Sequence, residues 1–520
     1  MAGCLYGDPV VAAPDRLPAP PANAAAEVVE AMRLVDAAIP AAAADQTRPA
    51  WHFRPPALWM NDICGAIHHD GWYHVFYQFN PRSPLPSWHA DQTSAWGHAR
   101  SRDLVAWEHL PIAIAAIAGE GELRCNSGCV VLDDEGTPTI FYTYVPKPGY
   151  LPPADRGWQA GDRQQLIATS RDGLVTWQRS AKNPVVRRRR AGIPESFDRY
   201  LGWSDPFVFR AGGETFVTFK ACGGLVCRAK AADLTDWSYA GHLTAADADD
   251  DDATPEVSEA GEPECPNLTR LGDRWLLVES GGGGSQQVRY RSGSFDPKAI
   301  QFQVAAAGIV DHAYGPKWPH DATRGFYGTN LVTTPDGRVV LLGWAGGFKP
   351  ARAWNSCMGL PRELSLDDAG RLLQSPAQEL ERLRRDHDGA RDVVVRDGPW
   401  RSDRRGNMLE IDLVVADAAQ AAFTLEVGSG ATAPTTITVA ADSIALNAMT
   451  AAIERGPGST RRLRVFVDRT LVEVFIDGRT AITQEVPSIP ADAAVAIVPA
   501  GNDRSLAIER LDIWSLAPIW

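Results

Sequence analysis

Short apolar runs, each broken by Gly, Asp or Pro, follow one another from Trp51 towards the end of the chain. This texture predicts many short β-strands. Five segments indicate strand–turn–strand units, because each has glycine, which tolerates the positive φ of a tight hairpin, between two apolar runs. These segments are residues 66–79, 129–144, 206–219, 267–278 and 327–342.

A second pattern recurs between these hairpins, an acidic turn with leucine followed by tryptophan. It ends at Trp107, Trp177 and Trp237, which stand at intervals of 70 and 60 residues. Five hairpins combined with a repeat of this period are typical of a β-propeller with five blades. A long β-sandwich is the alternative, but it would not repeat the tryptophan element at this spacing.

The two ends of the chain differ from the repeating part. Residues 1–50 are rich in Ala and Pro and contain one helical stripe of apolar residues, so we expect an N-terminal arm with a short helix. The stripe consists of Val28, Met32, Val35 and Ile39. The propeller is predicted over residues 51–370 and a linker over 371–385. Alternation resumes over 386–520 and favours a β-sandwich, so the predicted fold class is all-β.

The composition is that of a globular protein with a sizeable core, with 45% hydrophobic and 22% charged residues. The net charge of −13 argues against nucleic acid as a partner, and we interpret the basic run 187–190 as a solvated loop. No apolar stretch approaches ~18 residues, so no membrane span is expected. The 17 Trp outnumber the 16 Phe and the 11 Tyr, which suits a β-rich core or a sugar site.

The cysteines and the N-terminus bear on metal binding and localisation. The eight cysteines form no C-x-x-C pair and have no histidines at zinc-finger spacing, so we expect scattered thiols and no metal site. Residues 1–5 lack a charged and apolar leader, although Ala2-Gly3-Cys4 resembles the end of a lipoprotein signal. The localisation stays open: cytoplasmic as written, or extracellular or periplasmic if a signal segment has been removed.

Candidate chemistry lies directly ahead of the predicted hairpins. The first strand of each propeller blade begins near the central axis, so residues at that point converge on one funnel. Asp62, Asp205 and Glu264 precede the first, third and fourth hairpins, and Ser127 precedes the second. Crowded carboxylates raise one pKa among them, and a paired acid and carboxylate is the usual equipment for glycoside hydrolysis.

Several motifs in this order resemble those of family 32 glycoside hydrolases, which include invertases, inulinases, levanases and related fructosyltransferases. The resemblance covers roughly residues 51–515 and implies a five-bladed propeller followed by a β-sandwich. The motifs are Trp59-Met60-Asn61-Asp62, Tyr77-Gln78-Phe79-Asn80-Pro81, Trp96-Gly97-His98-Ala99, Ser204-Asp205-Pro206, Glu264-Cys265-Pro266, and Asp468-Arg469 with Val472-Glu473-Val474-Phe475.

The resemblance implies a role for each carboxylate and requires no cofactor. Asp62 would attack the anomeric C2 of a fructofuranosyl unit, and Glu264 would protonate the leaving oxygen and later activate water. Asp205 would hold fructose hydroxyls and stabilise the transition state. A retaining pair of this kind stands ~5–5.5 Å apart. The residues implied to line the fructose pocket are Asn61, Gln78, Trp88, Trp96, Ser127, Ser204 and Trp344.

Two positions depart from the family pattern. Ile63 stands where the family usually has Pro after the nucleophile, and Ser204 stands where it usually has Arg before the stabilising Asp. That Arg donates hydrogen bonds to fructose hydroxyls, so Ser204 predicts a weakened or altered grip on the ring. Arg199, five residues upstream, is our candidate for a substitute cation, and water is the alternative.

We therefore expect a retaining β-fructofuranosidase that hydrolyses terminal fructosyl linkages of sucrose or a fructan. A fructosyltransferase would use the same carboxylates but pass the fructosyl group to a sugar hydroxyl. An inactive carbohydrate-binding propeller is the alternative from a different class; Ser204 favours it, and the intact Asp62, Asp205 and Glu264 oppose it. The sequence does not predict the preferred linkage or the oligomeric state.

Overall fold

The computed structural model of this chain consists mainly of β-strands. The N-terminal stripe forms α1 (Ala26–Ala43), which buries Val28, Met32 and Val35 against the body of the protein. The structure describes residues 15–88, 92–150, 162–197, 203–221, 224–243, 263–282, 285–312, 325–346, 353–396, 398–417, 421–430, 433–454, 456, 458–500 and 505–520.

Five antiparallel sheets follow α1, and the first two strands of each sheet contain one of the five predicted hairpins. The first sheet consists of β1 (Leu58–His69), β2 (Trp72–Asn80), β3 (Ala95–Ser101), β4 (Trp107–His109) and β5 (Ile114–Ala115). The second consists of β6 (Glu122–Leu132), β7 (Pro138–Pro146), β8 (Gln164–Thr169) and β9 (Gln178–Arg179). The third consists of β10 (Ser204–Ala211), β11 (Glu214–Lys220), β12 (Leu225–Ala229) and β13 (Trp237–His242).

The fourth and fifth sheets complete the series. The fourth consists of β14 (Glu264–Leu271), β15 (Arg274–Gly282), β16 (Ser285–Asp296) and β17 (Gln301–Asp311). The fifth consists of β18 (Phe326–Thr333), β19 (Val339–Ala345), β21 (Cys357–Met358), β22 (Arg362–Leu366) and β23 (Leu372–Pro376). The short strand β20 (Trp354–Asn355) pairs with β1 of the first sheet. Because β23 pairs with β22 and buries Leu372, the fifth sheet extends into the segment predicted as a linker.

The first strands of the five sheets form a closed ring. β1 contacts β6, β6 contacts β10, β10 contacts β14, β14 contacts β18, and β18 returns to β1. The ring is fastened by β20, which pairs in parallel with the start of β1 through Leu58 with Trp354 and Trp59 with Asn355. This arrangement is a five-bladed propeller with its first strands innermost, and it confirms the predicted fold class.

The repeated tryptophans fix the turns on the outer side of the blades. Leu104, Leu174 and Leu234 all have left-handed φ values, 59°, 66° and 58°, and are buried. In the first and third repeats the indole N–H of Trp107 or Trp237 donates to the carbonyl of that leucine, at 3.1 and 2.8 Å. The turn geometry therefore recurs in all three repeats, and a buried indole anchors it in the first and third.

A β-sandwich follows the propeller. Its first sheet consists of β24 (Arg384–Arg396), β26 (Met408–Val415), β31 (Arg461–Asp468), β32 (Leu471–Ile476), β33 (Thr480–Glu485) and β35 (Ser505–Leu516). Its second sheet consists of β25 (Trp400–Arg405), β27 (Phe423–Val427), β28 (Thr435–Val439), β29 (Ser443–Leu446), β30 (Met449–Ala452) and β34 (Ala494–Pro499). One apolar core fills the space between the two sheets.

A buried ionic network joins the sandwich to both ends of the propeller. The Asp468 carboxylate accepts hydrogen bonds from the backbone N–H groups of Ala50, Trp51 and His52. The His52 ring lies 2.9 Å from Asp468 and 3.1 Å from Glu473. Glu473 also accepts from the backbone N–H of Leu360 and from the Arg362 guanidinium. The entry and exit segments of the propeller are thus held by one strand pair of the sandwich.

The remaining helices among the described residues are short. The helices are α2 (Arg188–Ala191) and the 3₁₀ helices Ala118–Glu120, Glu195–Phe197 and Gln378–Leu383. Within the described ranges, no helix is long and apolar enough to cross a membrane, and no group of three or more His, Cys, Asp or Glu could hold a metal ion. Residues 1–14, which include the predicted lipoprotein-like motif, lie outside the described residues.

Candidate active site

A β-bulge interrupts the first strand of every blade. The register shifts lie between Met60 and Gly65 in β1, Asn126 and Gly128 in β6, Ser204 and Phe207 in β10, Glu264 and Asn267 in β14, and Tyr327 and Asn330 in β18. A bulge turns a side chain out of the regular alternation, and bulges are frequent beside active sites. The residues predicted ahead of the first four hairpins stand at these bulges.

Side chains from three other blades hold the Asp62 carboxylate. The Ser127 hydroxyl donates to Oδ2 at 2.7 Å, and the Trp344 indole N–H donates to Oδ1 at 3.0 Å. The Cys265 thiol lies 3.7 Å from Oδ2. Because hydrogen bonds to a carboxylate favour its charged form, these donors suit an ionised, fixed Asp62.

A chain of buried amides and hydroxyls supports these contacts. The Gln78 amide donates to the Ser127 hydroxyl at 2.7 Å, and the Asn61 amide donates to Gln78 at 3.1 Å. The Ser87 hydroxyl lies 3.2 Å from both amide oxygens and shares its single hydrogen between them. The predicted pocket residues Asn61, Gln78 and Ser127 are therefore brought together, and they orient Asp62 through hydrogen bonds.

Cys265 connects the three carboxylates. Its backbone N–H donates to Asp205 Oδ2 at 3.2 Å, while its thiol points to Asp62, and Glu264 is its neighbour in the chain. Asp205 and Cys265 both have left-handed φ values, 55° and 49°, which are uncommon for residues with a side chain. The structure thus gathers Asp62, Asp205 and Glu264 at one place by backbone geometry that the bulges permit.

Burial dominates the electrostatics of Asp205. Burial, together with the nearby charges of Glu264 and Asp62, raises the pKa of Asp205 to about 6, against the opposing effect of Lys220. Burial and the same group of carboxylates raise the pKa of the Cys265 thiol well above its usual range. Cys265 is therefore a neutral hydrogen-bond donor and not a thiolate nucleophile.

Two side chains hold Glu264 on opposite oxygens. The Lys220 ammonium donates to Oε1 at 2.8 Å, and the Tyr327 hydroxyl donates to Oε2 at 3.0 Å. The Glu264 side chain is 36% exposed, whereas Lys220 is 11% exposed. Glu264 is therefore held on both oxygens and still partly exposed to solvent.

The predicted tryptophans divide into two groups. Trp344 bonds to Asp62 and packs edge-on against Trp59, which in turn packs edge-on against Trp88, and Trp88 is partly exposed. Trp96 is 0% exposed, packs against Phe76 and donates to the carbonyl of Asn126, next to Ser127. Trp96 therefore packs directly behind Ser127, and its place in the fructose pocket stays a prediction.

Several neighbours of the carboxylates were not predicted from the sequence. They are Lys220, Cys265, Tyr327 and Gly328, and Ser87, which contacts the supporting amides, was not predicted either. Gly328 has φ 50°, and a Cβ there would collide with the Asp62 carboxylate and the Trp344 indole. Lys220 stands opposite Ser204 in the β10–β11 register, so extending the predicted hairpin 206–219 outwards would have found it. Ser204 is buried at its bulge, and Arg199 lies outside the described residues.

Two family models match nearly the whole chain. The description "Glycosyl hydrolases family 32 N-terminal domain" matches residues 52–376, and "Glycosyl hydrolases family 32 C terminal" matches residues 379–515. The chain belongs to glycosyl hydrolase family 32. This membership confirms the family predicted from the motifs, and with it the predicted glycoside hydrolase activity on fructosyl linkages.

Relatives and solved structures of this family 32 enzyme agree with the assignment. A levanase from Bacillus subtilis is 27% identical over 518 residues, covering 91% of this chain and 71% of its own. A sucrose-6-phosphate hydrolase from Zymomonas mobilis is 30% identical over 461 residues, covering 82% and 83%. The structure of sucrose-6-phosphate hydrolase from Lactobacillus gasseri superposes with a TM-score of 0.74 at 21% identity, covering 94% of this chain and 97% of that one. It supports the shared fold.

Proposed function

We propose that this family 32 enzyme is a retaining β-fructofuranosidase in which Asp62 is the nucleophile, Glu264 the acid/base and Asp205 the stabiliser of the transition state. The observation that carries the proposal is the Asp62 carboxylate, which accepts hydrogen bonds from Ser127 and Trp344 on two other blades. Such donors keep a nucleophilic carboxylate ionised and aimed.

In the first step, an Asp62 oxygen attacks C2 of the terminal fructosyl unit, and the bond from C2 to the leaving oxygen breaks. Glu264 transfers its proton to that oxygen, so the aglycone leaves as an alcohol. In the second step, Glu264 takes a proton from water, whose oxygen attacks C2 and releases Asp62. Asp205 lies one hydrogen bond from Cys265, where its charge can stabilise the positive character that develops on the ring.

The proposed substrates are sucrose and short or long fructans, cleaved at a terminal fructosyl unit. Two relatives are named for related substrates: one is a levanase and the other a sucrose-6-phosphate hydrolase. The partly exposed Trp88, packed on Trp59, supports a sugar-binding wall, because aromatic faces pack well on the C–H groups of a furanose ring.

The test is incubation of the purified enzyme with sucrose, levan, inulin and short fructo-oligosaccharides, followed by chromatography of the products. The proposal expects free fructose from at least one substrate, equal to glucose when the substrate is sucrose. The Asp62→Asn variant is the negative control, because its amide cannot form the covalent intermediate. An excess of glucose together with larger sugars would show transfer instead, and no release from any fructoside would refute the proposal.

A further inference from the structure

The cation next to the candidate carboxylates comes from an unexpected strand. Lys220 is the last residue of β11, and its Cα is directly paired with that of Ser204. Ser204 stands where the family usually has the arginine that binds fructose hydroxyls. The side chain of Lys220 is only 11% exposed and its ammonium donates to Glu264 Oε1 at 2.8 Å. A positive charge therefore enters the site from β11, the strand opposite the position of the missing arginine.

The Lys220 ammonium also interacts electrostatically with the Asp205 carboxyl. Burial alone would lower the pKa of Lys220, but the charges of Glu264 and Asp205 outweigh burial and raise it. Lys220 in turn opposes the burial that raises the pKa of Asp205. An ammonium has three N–H donors, and one of them is directed at Glu264, which leaves donors for a ligand held beside Asp205.

We infer that Lys220 is a substrate-binding residue that replaces the missing arginine, donating from Nζ to hydroxyl groups of the fructosyl unit held by Asp205. This inference rests on the proposed function, since it assumes that the fructosyl ring lies among the three carboxylates. A lysine is a compact point charge, whereas arginine offers a planar fork. Replacing arginine by Lys220 therefore keeps a positive charge at this subsite but loses the pair of parallel hydrogen bonds that a guanidinium can donate.

The contact with Glu264 has a second consequence, for the pH dependence of the reaction. Glu264 faces Lys220 on one oxygen and Tyr327 on the other, with Asp205 and Asp62 as nearby charges. A neighbouring ammonium favours the ionised carboxylate, so removing its charge lets Glu264 keep its proton to higher pH. The basic limb of kcat/KM should then move to higher pH in Lys220→Met, which tests the ion pair with Glu264, while fructose affinity tests the contact with the ligand.

The experiment compares Lys220→Met, Ser204→Arg and the double variant with the parent enzyme. The direct readout is the dissociation constant of free fructose, measured by calorimetry, because it needs no turnover. Loss of a hydrogen bond from a charged donor should weaken fructose binding by about 10- to 100-fold in Lys220→Met. Ser204→Arg in the Lys220→Met background should recover at least part of that loss, because it returns a cation to the same subsite.

Lys182→Met is the matched control, because Lys182 forms an exposed ion pair with Asp233 at 2.9 Å on the surface. If Lys220→Met does not fold by circular dichroism, Lys220→Gln keeps the length and removes the charge. Fructose affinity within twofold of the parent, or no recovery in the double variant, overturns the inference. Failure of the proposed function is a separate result, since the parent would then bind fructose but release none from any fructoside.

Discussion

Replacing His52 should weaken the junction between propeller and sandwich in a pH-dependent way. The ring is 1% exposed and bridges the carboxylates of Asp468 and Glu473. Burial alone would lower the pKa of His52, but these two partners outweigh it and raise the pKa to about 9, from 6.5 in the unfolded chain. Each unit of such a shift corresponds to about 1.4 kcal/mol, so the protonated ring contributes about 3 kcal/mol to folding.

Because the folded-state pKa is the higher one, this contribution is complete below pH 6.5 and is lost as the pH rises through 9. Urea unfolding followed by tryptophan fluorescence should show His52→Gln less stable than the parent by about 3 kcal/mol at pH 6. The difference should shrink by about 1.4 kcal/mol per pH unit above pH 6.5. His387→Gln is the control, since His387 pairs with Asp512 while 46% exposed. A difference for His52→Gln that is equal at pH 6 and pH 9 would refute the reasoning.

Three further predictions concern the site. Glu264→Gln should slow the hydrolysis of sucrose by about 10²–10⁴-fold but affect activated aryl fructosides far less, and equal losses would make Glu264 structural. Gly328→Ala should lower kcat by about 100-fold or more and also lower the thermal stability, because a Cβ at this left-handed φ is strained and displaces the Asp62 carboxylate; near-parental kcat would contradict this. Activity should fall below about pH 6, because protonation of Asp205 removes its charge. Asp205→Asn should abolish turnover at every pH. If Asp205→Asn stays active and its activity still falls below pH 6, Asp205 does not have this role.

The parts of the fold that the sequence predicts well are those set by local chemistry. Glycine turns between apolar runs and the leucine–tryptophan element determine each hairpin and its outer turn, and both can be recognised within ten residues. The fastening of the ring by Trp354 and Asn355 could not be predicted, because two residues carry no periodicity. The buried network around His52 and Glu473 joins residues more than 400 positions apart, and only the folded chain brings them together.

The site residues that belong to a motif could be predicted from the sequence. The residues whose position depends on strand pairing or on packing could not. Asp62, Asp205 and Glu264 stand at bulges that recur in every blade, so equivalent positions identified them. Trp96 belongs to an equally specific motif, and its motif alone does not reveal that its indole is 0% exposed within an apolar cluster of the first two blades. Lys220 carries no motif at all, and its importance follows from the strand pairing that places it opposite Ser204.

The fastening of the propeller ring has a consequence for how the enzyme is made in the cell. Asp62 is synthesised before its partner Trp344 and the fastening strand at Trp354, which leave the ribosome almost three hundred residues later. The anchors for the entry segment, Asp468 and Glu473, emerge later still. A nascent or truncated chain therefore carries all three carboxylates without the shell that orients them. Hydrolytic activity should appear only after the chain has been made as far as these anchors, so nascent chains that lack them do not consume sugar.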